Sequence, residues 1–130
     1  MNFDAQRIFA NLAEKERLKG HHSPEGRAIR TLSRALNGWS SGSLSAGDVV
    51  VLCDQAIEDW LKSRMTVSEW STKNLTTLLL MAAERQLLTA SEAAQLRLVH
   101  EMRSRLTLAS AADAESALQC SIQIVEERWE

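Results

Sequence analysis

Apolar residues recur along most of the chain at intervals of three and four positions, which is the spacing of one face of an α-helix. The clearest stripe runs from Val49 to Leu61, and later stripes begin at Leu75, Leu96 and Ala114. No segment alternates apolar and polar residues at every second position, so the pattern predicts no β-strand. The chain is therefore expected to be all-α.

Residues that favour helix ends divide this pattern into six segments. Ser23 precedes Pro24, which combines an N-cap with a proline at the first helical position. Pairs that resemble capping boxes, with Asp in place of Glu in two of them, begin at Ser45, Thr66, Thr89 and Ser110. Gly20 and Gly38 follow helical runs, as C-terminal caps often do. The predicted helices span about 2–19, 24–37, 46–64, 68–86, 90–107 and 111–128.

These segments predict a single helical domain over residues 1–130. The last four helices, within 45–130, are expected to pack as an antiparallel bundle because their connections are short. Residues 1–44 would add two N-terminal helices to it. The Gly- and Ser-rich stretch 37–45 predicts a flexible linker. Trp39 lies within it, and we expect its large indole to dock on the bundle or on a partner chain.

Composition and charge disfavour several fold classes and kinds of partner. The 130 residues include 45% hydrophobic residues but only five Gly and one Pro, which disfavours a β-sandwich or barrel. A net charge of −2 gives no general basic field for nucleic acid, although a local basic patch remains possible. Charges throughout the first residues and the absence of a long apolar run predict a cytoplasmic protein without a membrane segment.

Few residues indicate metal or redox chemistry. Cys53 and Cys120 are far apart, form no CxxC motif and are interpreted as buried free thiols. His21 and His22 are adjacent, but their sequence neighbours supply no convincing set of further ligands. The sequence therefore predicts no metal site and no cofactor.

Polar groups that bind phosphate or move protons are concentrated in residues 96–110, LRLVHEMRSRLTLAS. The candidate RNA- or phosphate-binding residues are His100, Arg103, Ser104 and Arg105. His100 and Arg103 are three positions apart and therefore share a helix face. The alternative interpretation is a solvated surface in which the arginines stabilise the last turn of the helix through its dipole.

Residues 45–130 resemble a HEPN domain, the helical family named for nucleotide binding in higher eukaryotes and prokaryotes. VVVLCDQAIEDWLKSRM resembles the long core helix of that family, and KNLTTLLLMAAERQLLT resembles the helix after it. LRLVHEMRSRLTLASAADAESALQCSIQIVEERW is similar to the last two helices, which meet at the signature turn of the family.

The resemblance implies a specific motif and a quaternary structure. Active members carry Arg, a polar residue and, after four to six positions, a His, and they cleave RNA without a metal. Arg103 and Ser104 fit the start of this motif, but positions 108–110 hold Leu, Ala and Ser. Because none of these is an imidazole base, we assign no catalytic residue. Family members commonly form homodimers, so we expect one here.

The first hypothesis is thus a noncatalytic HEPN-like module, dimeric, that binds RNA, a nucleotide or a protein partner. The second is a divergent metal-independent ribonuclease in which His100 replaces the missing base and the arginines stabilise the phosphate. The third is a ligand-free regulatory or accessory bundle of a toxin–antitoxin or defence system. RNA cleavage distinguishes the second hypothesis, and RNA or nucleotide binding distinguishes the first from the third.

Overall fold

The computed structural model describes residues 5–20, 22–67, 74–104 and 109–127. Over these residues the chain is a bundle of helices without a strand, which confirms the all-α prediction. The helices are α1 (Ala5–Lys19), α2 (Pro24–Ser41), α3 (Ala46–Arg64), α4 (Leu75–Glu84), α5 (Ala90–Ser104) and α6 (Ala111–Glu127). None of them is long and apolar enough to cross a membrane.

Local capping chemistry fixes several of the helix starts. At the start of α5, the backbone N–H of Glu92 donates to Thr89 Oγ1 at 3.1 Å, and the Thr89 N–H donates to Glu92 Oε1 at 2.9 Å. Ser110 and Asp113 exchange the same two hydrogen bonds at 3.1 and 2.9 Å before α6. Two of the predicted capping boxes therefore form completely, and each satisfies two backbone donors that the helix leaves unpaired.

The start of α4 differs from the prediction. Thr66 has a φ of 57°, in the left-handed region, and does not cap a helix. Instead Asn74 is the N-cap, and its side chain accepts a hydrogen bond from the backbone N–H of Thr77 at 2.9 Å. The predicted start at residue 68 lies outside the described residues, and the helix that the structure describes, α4, has ten residues.

The end of α2 also differs from the prediction. Gly38 lies inside the helix, which continues to Ser41 and ends at Gly42 with a φ of 77°. Leu44 folds back onto the helix so closely that a Cβ at position 38 would lie 2.2 Å from its Cδ1 atom. Gly38 therefore serves the packing of Leu44 rather than helix termination, and the predicted linker 37–45 is mostly helical. Trp39 is partly buried against the core, as expected of an indole that docks on the bundle.

One hydrophobic core includes side chains from all six helices. The most extensive helix–helix contact joins α2 and α3, and α3 also contacts α4, α5 and α6. Trp60 of α3 is completely buried at the centre of this arrangement. Because α3 is the common neighbour of the later helices, a polar residue on its apolar face is placed among them.

Candidate functional site

A carboxylate lies on the apolar face of the central helix. Asp54 of α3 follows Val50 by four positions and precedes Ile57 by three, so it falls within the buried stripe. Only 2% of its surface is exposed. A carboxylate is costly to bury without a charged or hydrogen-bonding partner. Its position therefore requires donors from a neighbouring helix.

Those donors come from α5 and are two of the predicted site residues. His100 Nδ1 lies 3.1 Å from Asp54 Oδ1 and 3.2 Å from Asp54 Oδ2. Arg103 Nη1 donates to Asp54 Oδ2 at 2.9 Å. The expectation that His100 and Arg103 share a helix face is confirmed, since both reach the same carboxylate. We call these three residues the Asp54 cluster.

The Asp54 cluster extends from the core to the surface. The side chain of Asp54 is buried, whereas 26% of the His100 side chain and 38% of the Arg103 side chain is exposed. The carboxylate thus holds two nitrogen-bearing side chains at the rim of the α3–α5 contact. The cluster is neutral overall when the imidazole is neutral and carries one positive charge when the imidazole is protonated.

The other two predicted site residues are at the end of α5 and after it in the sequence. Ser104 is the last residue of α5. Arg105 lies outside the described residues. Nearby on α5, Arg97 forms an ion pair with Glu101 at 3.5 Å, with both side chains largely exposed. The alternative interpretation as solvated charges therefore fits this pair, but it does not fit His100 and Arg103, which contact a buried carboxylate.

The cluster resembles a proton-transfer site in one respect. An ionised carboxylate can only accept hydrogen bonds, so its contact with His100 requires a proton on Nδ1. In the neutral imidazole Nε2 is then the basic nitrogen, an arrangement in which a carboxylate orients a general base. Arg103 remains protonated and cannot act as the base, although a guanidinium is well suited to hold a phosphate.

The described residues contain no group of three or more His, Cys, Asp or Glu side chains that could hold a metal ion. His21 lies outside these residues, whereas His22 is exposed between α1 and α2.

Comparison with known proteins gives no match: no protein-family model, no curated protein and no solved structure is significantly similar to this chain. The resemblance to HEPN domains therefore stays a prediction, and the geometry of the Asp54 cluster carries the functional argument.

The two cysteines lie outside the Asp54 cluster and have unreactive surroundings. Burial raises the pKa of the Cys53 thiol to about 12. Cys120 is only partly buried, which corrects the expectation of a buried thiol. Burial, followed by the negative charge of Glu92, raises its pKa to about 11. Because the thiolate is the nucleophilic form, neither cysteine is suited to nucleophilic catalysis in the folded protein.

Sequence reasoning identified His100 and Arg103 but missed Asp54. The signal was present as a single carboxylate inside the most regular apolar stripe of the chain. Such a residue is rarely buried unless it is paired. That rule indicates that Asp54 needs a cationic partner, but it does not indicate which one.

Proposed function

We propose that this protein is a noncatalytic, HEPN-like helical module that binds a phosphate group of RNA or of a nucleotide at His100 and Arg103. The observation that supports the proposal is the fixation of both side chains at the surface by the buried carboxylate of Asp54. A pre-positioned guanidinium loses less conformational entropy on binding than a mobile one.

The guanidinium geometry suits this role. Arg103 uses Nη1 for Asp54, and a guanidinium carries five N–H donors in a planar fork. The contact with Asp54 that the structure shows uses one of the guanidinium nitrogens, and 38% of the side chain is exposed. The imidazolium of His100 would add a second donor and a second positive charge. Phosphate, with several acceptor oxygens, is the ligand class that matches two adjacent cationic donors.

Asp54 has two opposing effects on such a ligand. It positions the donors, but its negative charge also cancels one of their positive charges. Replacement by Asn keeps the shape and an acceptor oxygen while raising the net charge of the cluster by one. We therefore expect Asp54→Asn to strengthen phosphate binding and Arg103→Gln to weaken it.

The test measures the affinity of the purified protein for a fluorescently labelled single-stranded RNA and for a nucleotide, at several salt concentrations. Arg103→Gln should weaken binding by about tenfold or more, the effect of losing one charged hydrogen bond. It should also make binding less dependent on salt. Arg97→Gln, on the same helix but outside the cluster, is the matched control and should have a smaller effect. Equal effects of the two arginine variants, or no salt-dependent binding, would contradict the proposal and favour a ligand-free bundle.

A divergent ribonuclease is the second candidate, and the contact between His100 and Asp54 is the observation that favours it. We nevertheless expect no cleavage, because His100 is the one group in the cluster that can act as a general base. Cleavage of RNA also requires proton transfer to the leaving oxygen. Incubation of several RNAs with the protein and with a His100→Asn variant tests this. Cleavage that the variant lacks would establish the enzyme instead.

We further propose that the module is a homodimer, as the resemblance implies. An apolar cleft of about 250 Å³ between α4 and α5 supports this proposal. Leu80 at the cleft is 60% exposed and has several alanines beside it. Exposed apolar surface of this kind commonly marks a protein–protein contact. Light scattering should give the mass of two chains, and Leu80→Asp should reduce it to one. A single-chain mass for the unaltered protein would refute a stable dimer.

A further inference from the structure

Two cavities lie along the outer face of α6, and no residue of the Asp54 cluster lines either of them. The two cavities, of about 200 and 350 Å³, adjoin each other along this helix, where Gln119 and Gln123 line both of them. Leu98 and Met102 of α5 border one part of it, and Arg7 of α1 borders the other. We call these two adjoining cavities together the α6 groove.

The dimensions of the α6 groove match a short helix. Its floor is the outward stripe of α6, which runs from Ser116 to Glu127. These twelve residues of helix extend over about 16 Å, which is three turns. A helix of about this length could lie along the groove and contact it through residues one turn apart.

The groove offers an apolar contact with adaptable surroundings. Leu98 is 55% exposed, although it is a large aliphatic residue. Met102 is partly buried beside it, and methionine adapts its shape to different partners more readily than branched residues do. The amides of Gln119 and Gln123 can each donate and accept hydrogen bonds along the floor. This combination of apolar and amide groups suits a protein helix better than a nucleic acid.

The charged side chains that line the two cavities, Glu126, Glu127 and Arg7, carry a net charge of −1, which favours a basic partner. α6 contains four acidic residues, Asp113, Glu115, Glu126 and Glu127, and its sequence has no Lys or Arg. Glu126 and Glu127 border the groove directly. Glu92 of α5 is close enough to Cys120 on the floor for its charge to raise the pKa of that thiol, after the larger effect of burial. Among the described residues that line the two cavities, Arg7 is the one basic side chain.

We propose that the α6 groove is a docking surface for a basic amphipathic helix of a partner protein. The apolar face of that helix contacts Leu98 and Met102, and its Lys or Arg residues face Glu126, Glu127 and Glu92. Complementary charge would speed association and exclude acidic helices. The proposal is independent of the phosphate-binding function because none of the side chains that line the two cavities belongs to the Asp54 cluster.

The probe is a fluorescently labelled peptide of leucine and lysine with the spacing of an amphipathic helix, and its counterpart has glutamate at every lysine position. Anisotropy titrations compare the unaltered protein with Leu98→Asp in the groove and Leu18→Asp outside it. Leu18 is 61% exposed, so it matches Leu98 in type and exposure. Both variants add one negative charge, and circular dichroism verifies that both stay folded.

We expect the lysine peptide to bind the unaltered protein and Leu18→Asp alike, and Leu98→Asp at least about tenfold more weakly. Glu126→Gln with Glu127→Gln should weaken binding severalfold and reduce its dependence on salt. Side-chain amide resonances of Gln119 and Gln123 should shift on binding. Equal affinity of the two aspartate variants, or equal binding of the glutamate peptide, would overturn the proposal. A chain mass that halves on Leu98→Asp would assign the groove to a second copy instead and would also overturn it.

Discussion

Removal of the two partners of Asp54 should destabilise the protein more than removal of the charge of Asp54 itself, because the carboxylate is buried while its partners are partly exposed. Removal of both partners by His100→Ala and Arg103→Ala leaves a 2%-exposed carboxylate without the contacts that the structure shows. An uncompensated buried charge typically costs about 3–5 kcal/mol. Asp54→Asn instead leaves two side chains that are 26% and 38% exposed, and water can solvate them. We expect that change to cost about 1 kcal/mol, the net value of an ordinary hydrogen bond.

The decisive comparison adds Asp54→Leu to the double alanine variant. If the loss comes from a stranded carboxylate, this third substitution should recover most of it, since apolar replacement of a whole buried ionic cluster is often neutral or stabilising. Urea unfolding followed by tryptophan fluorescence gives the free energy of unfolding of each variant. Arg97→Ala is the control, because its exposed ion pair with Glu101 should contribute no more than about 0.5 kcal/mol.

Two results would refute this reasoning. A loss below about 1 kcal/mol for the double alanine variant would show that Asp54 does not depend on its partners. A triple variant no more stable than the double variant would show that lost packing, rather than the buried charge, causes the destabilisation. The interaction energy between Asp54 and Arg103 from a double-mutant cycle, expected at about 1–3 kcal/mol, provides a separate check.

Three further predictions concern backbone packing and titration. Gly26→Ala should destabilise the fold by about 1–3 kcal/mol in urea unfolding, despite the better helix propensity of alanine, because its Cβ would lie 2.1 Å from the Gly20 carbonyl oxygen. Gly47→Ala is the control and should not destabilise the fold, because its Cβ would meet only one atom, at 3.9 Å. Equal losses of stability in the two variants would contradict the packing argument. Burial raises the pKa of Asp59 above its ordinary 3.8, so its ionised form costs stability at neutral pH and this cost disappears as the pH falls through the folded pKa. Asp59→Asn should therefore stabilise the protein slightly at neutral pH, by up to about 0.5 kcal/mol, and lose that advantage near pH 3, whereas a gain independent of pH would exclude titration as its cause. With a pKa of about 12, the buried Cys53 thiol should be alkylated by iodoacetamide only after unfolding, and rapid labelling of the native protein, located by mass spectrometry, would be inconsistent with its burial.

The helices could be predicted where local chemistry alone decides them. The bounds of α3 agree with the prediction of 46–64 because Ser45 caps its start and one uninterrupted apolar stripe follows. The end of α2 could not be predicted in the same way. Gly38 has the residue type of a helix terminus, but its role depends on Leu44, which packs against it only after the chain has turned back. The start of α4 required a choice between Thr66 and Asn74, two residues that both favour N-caps.

Two of the three residues of the Asp54 cluster could be predicted from the sequence, and the third could not. His100 and Arg103 lie three positions apart on one helix, so helical geometry alone places them together. Asp54 is 46 positions before His100, and no local rule connects α3 with α5 over that distance. An acidic residue within an apolar stripe nevertheless indicates a buried ionic contact, because few unpaired carboxylates are tolerated there. The pairing itself comes from the packing of the bundle.

Asp54→Asn should lower the stability of the protein but raise its affinity for a phosphate ligand. These opposite changes distinguish a cluster that binds a ligand from one that only stabilises the fold. The charge of Asp54 holds His100 and Arg103 in place, so Asp54→Asn should lower the free energy of unfolding. The same charge competes with a phosphate for Arg103, so the variant should bind RNA or nucleotide more tightly. The two quantities are measured on one preparation, by urea unfolding and by anisotropy of the labelled RNA. If affinity falls together with stability, Asp54 matters for ligand binding only because it keeps the fold intact. If stability falls while affinity rises, the carboxylate restrains the cationic side chains that contact the ligand.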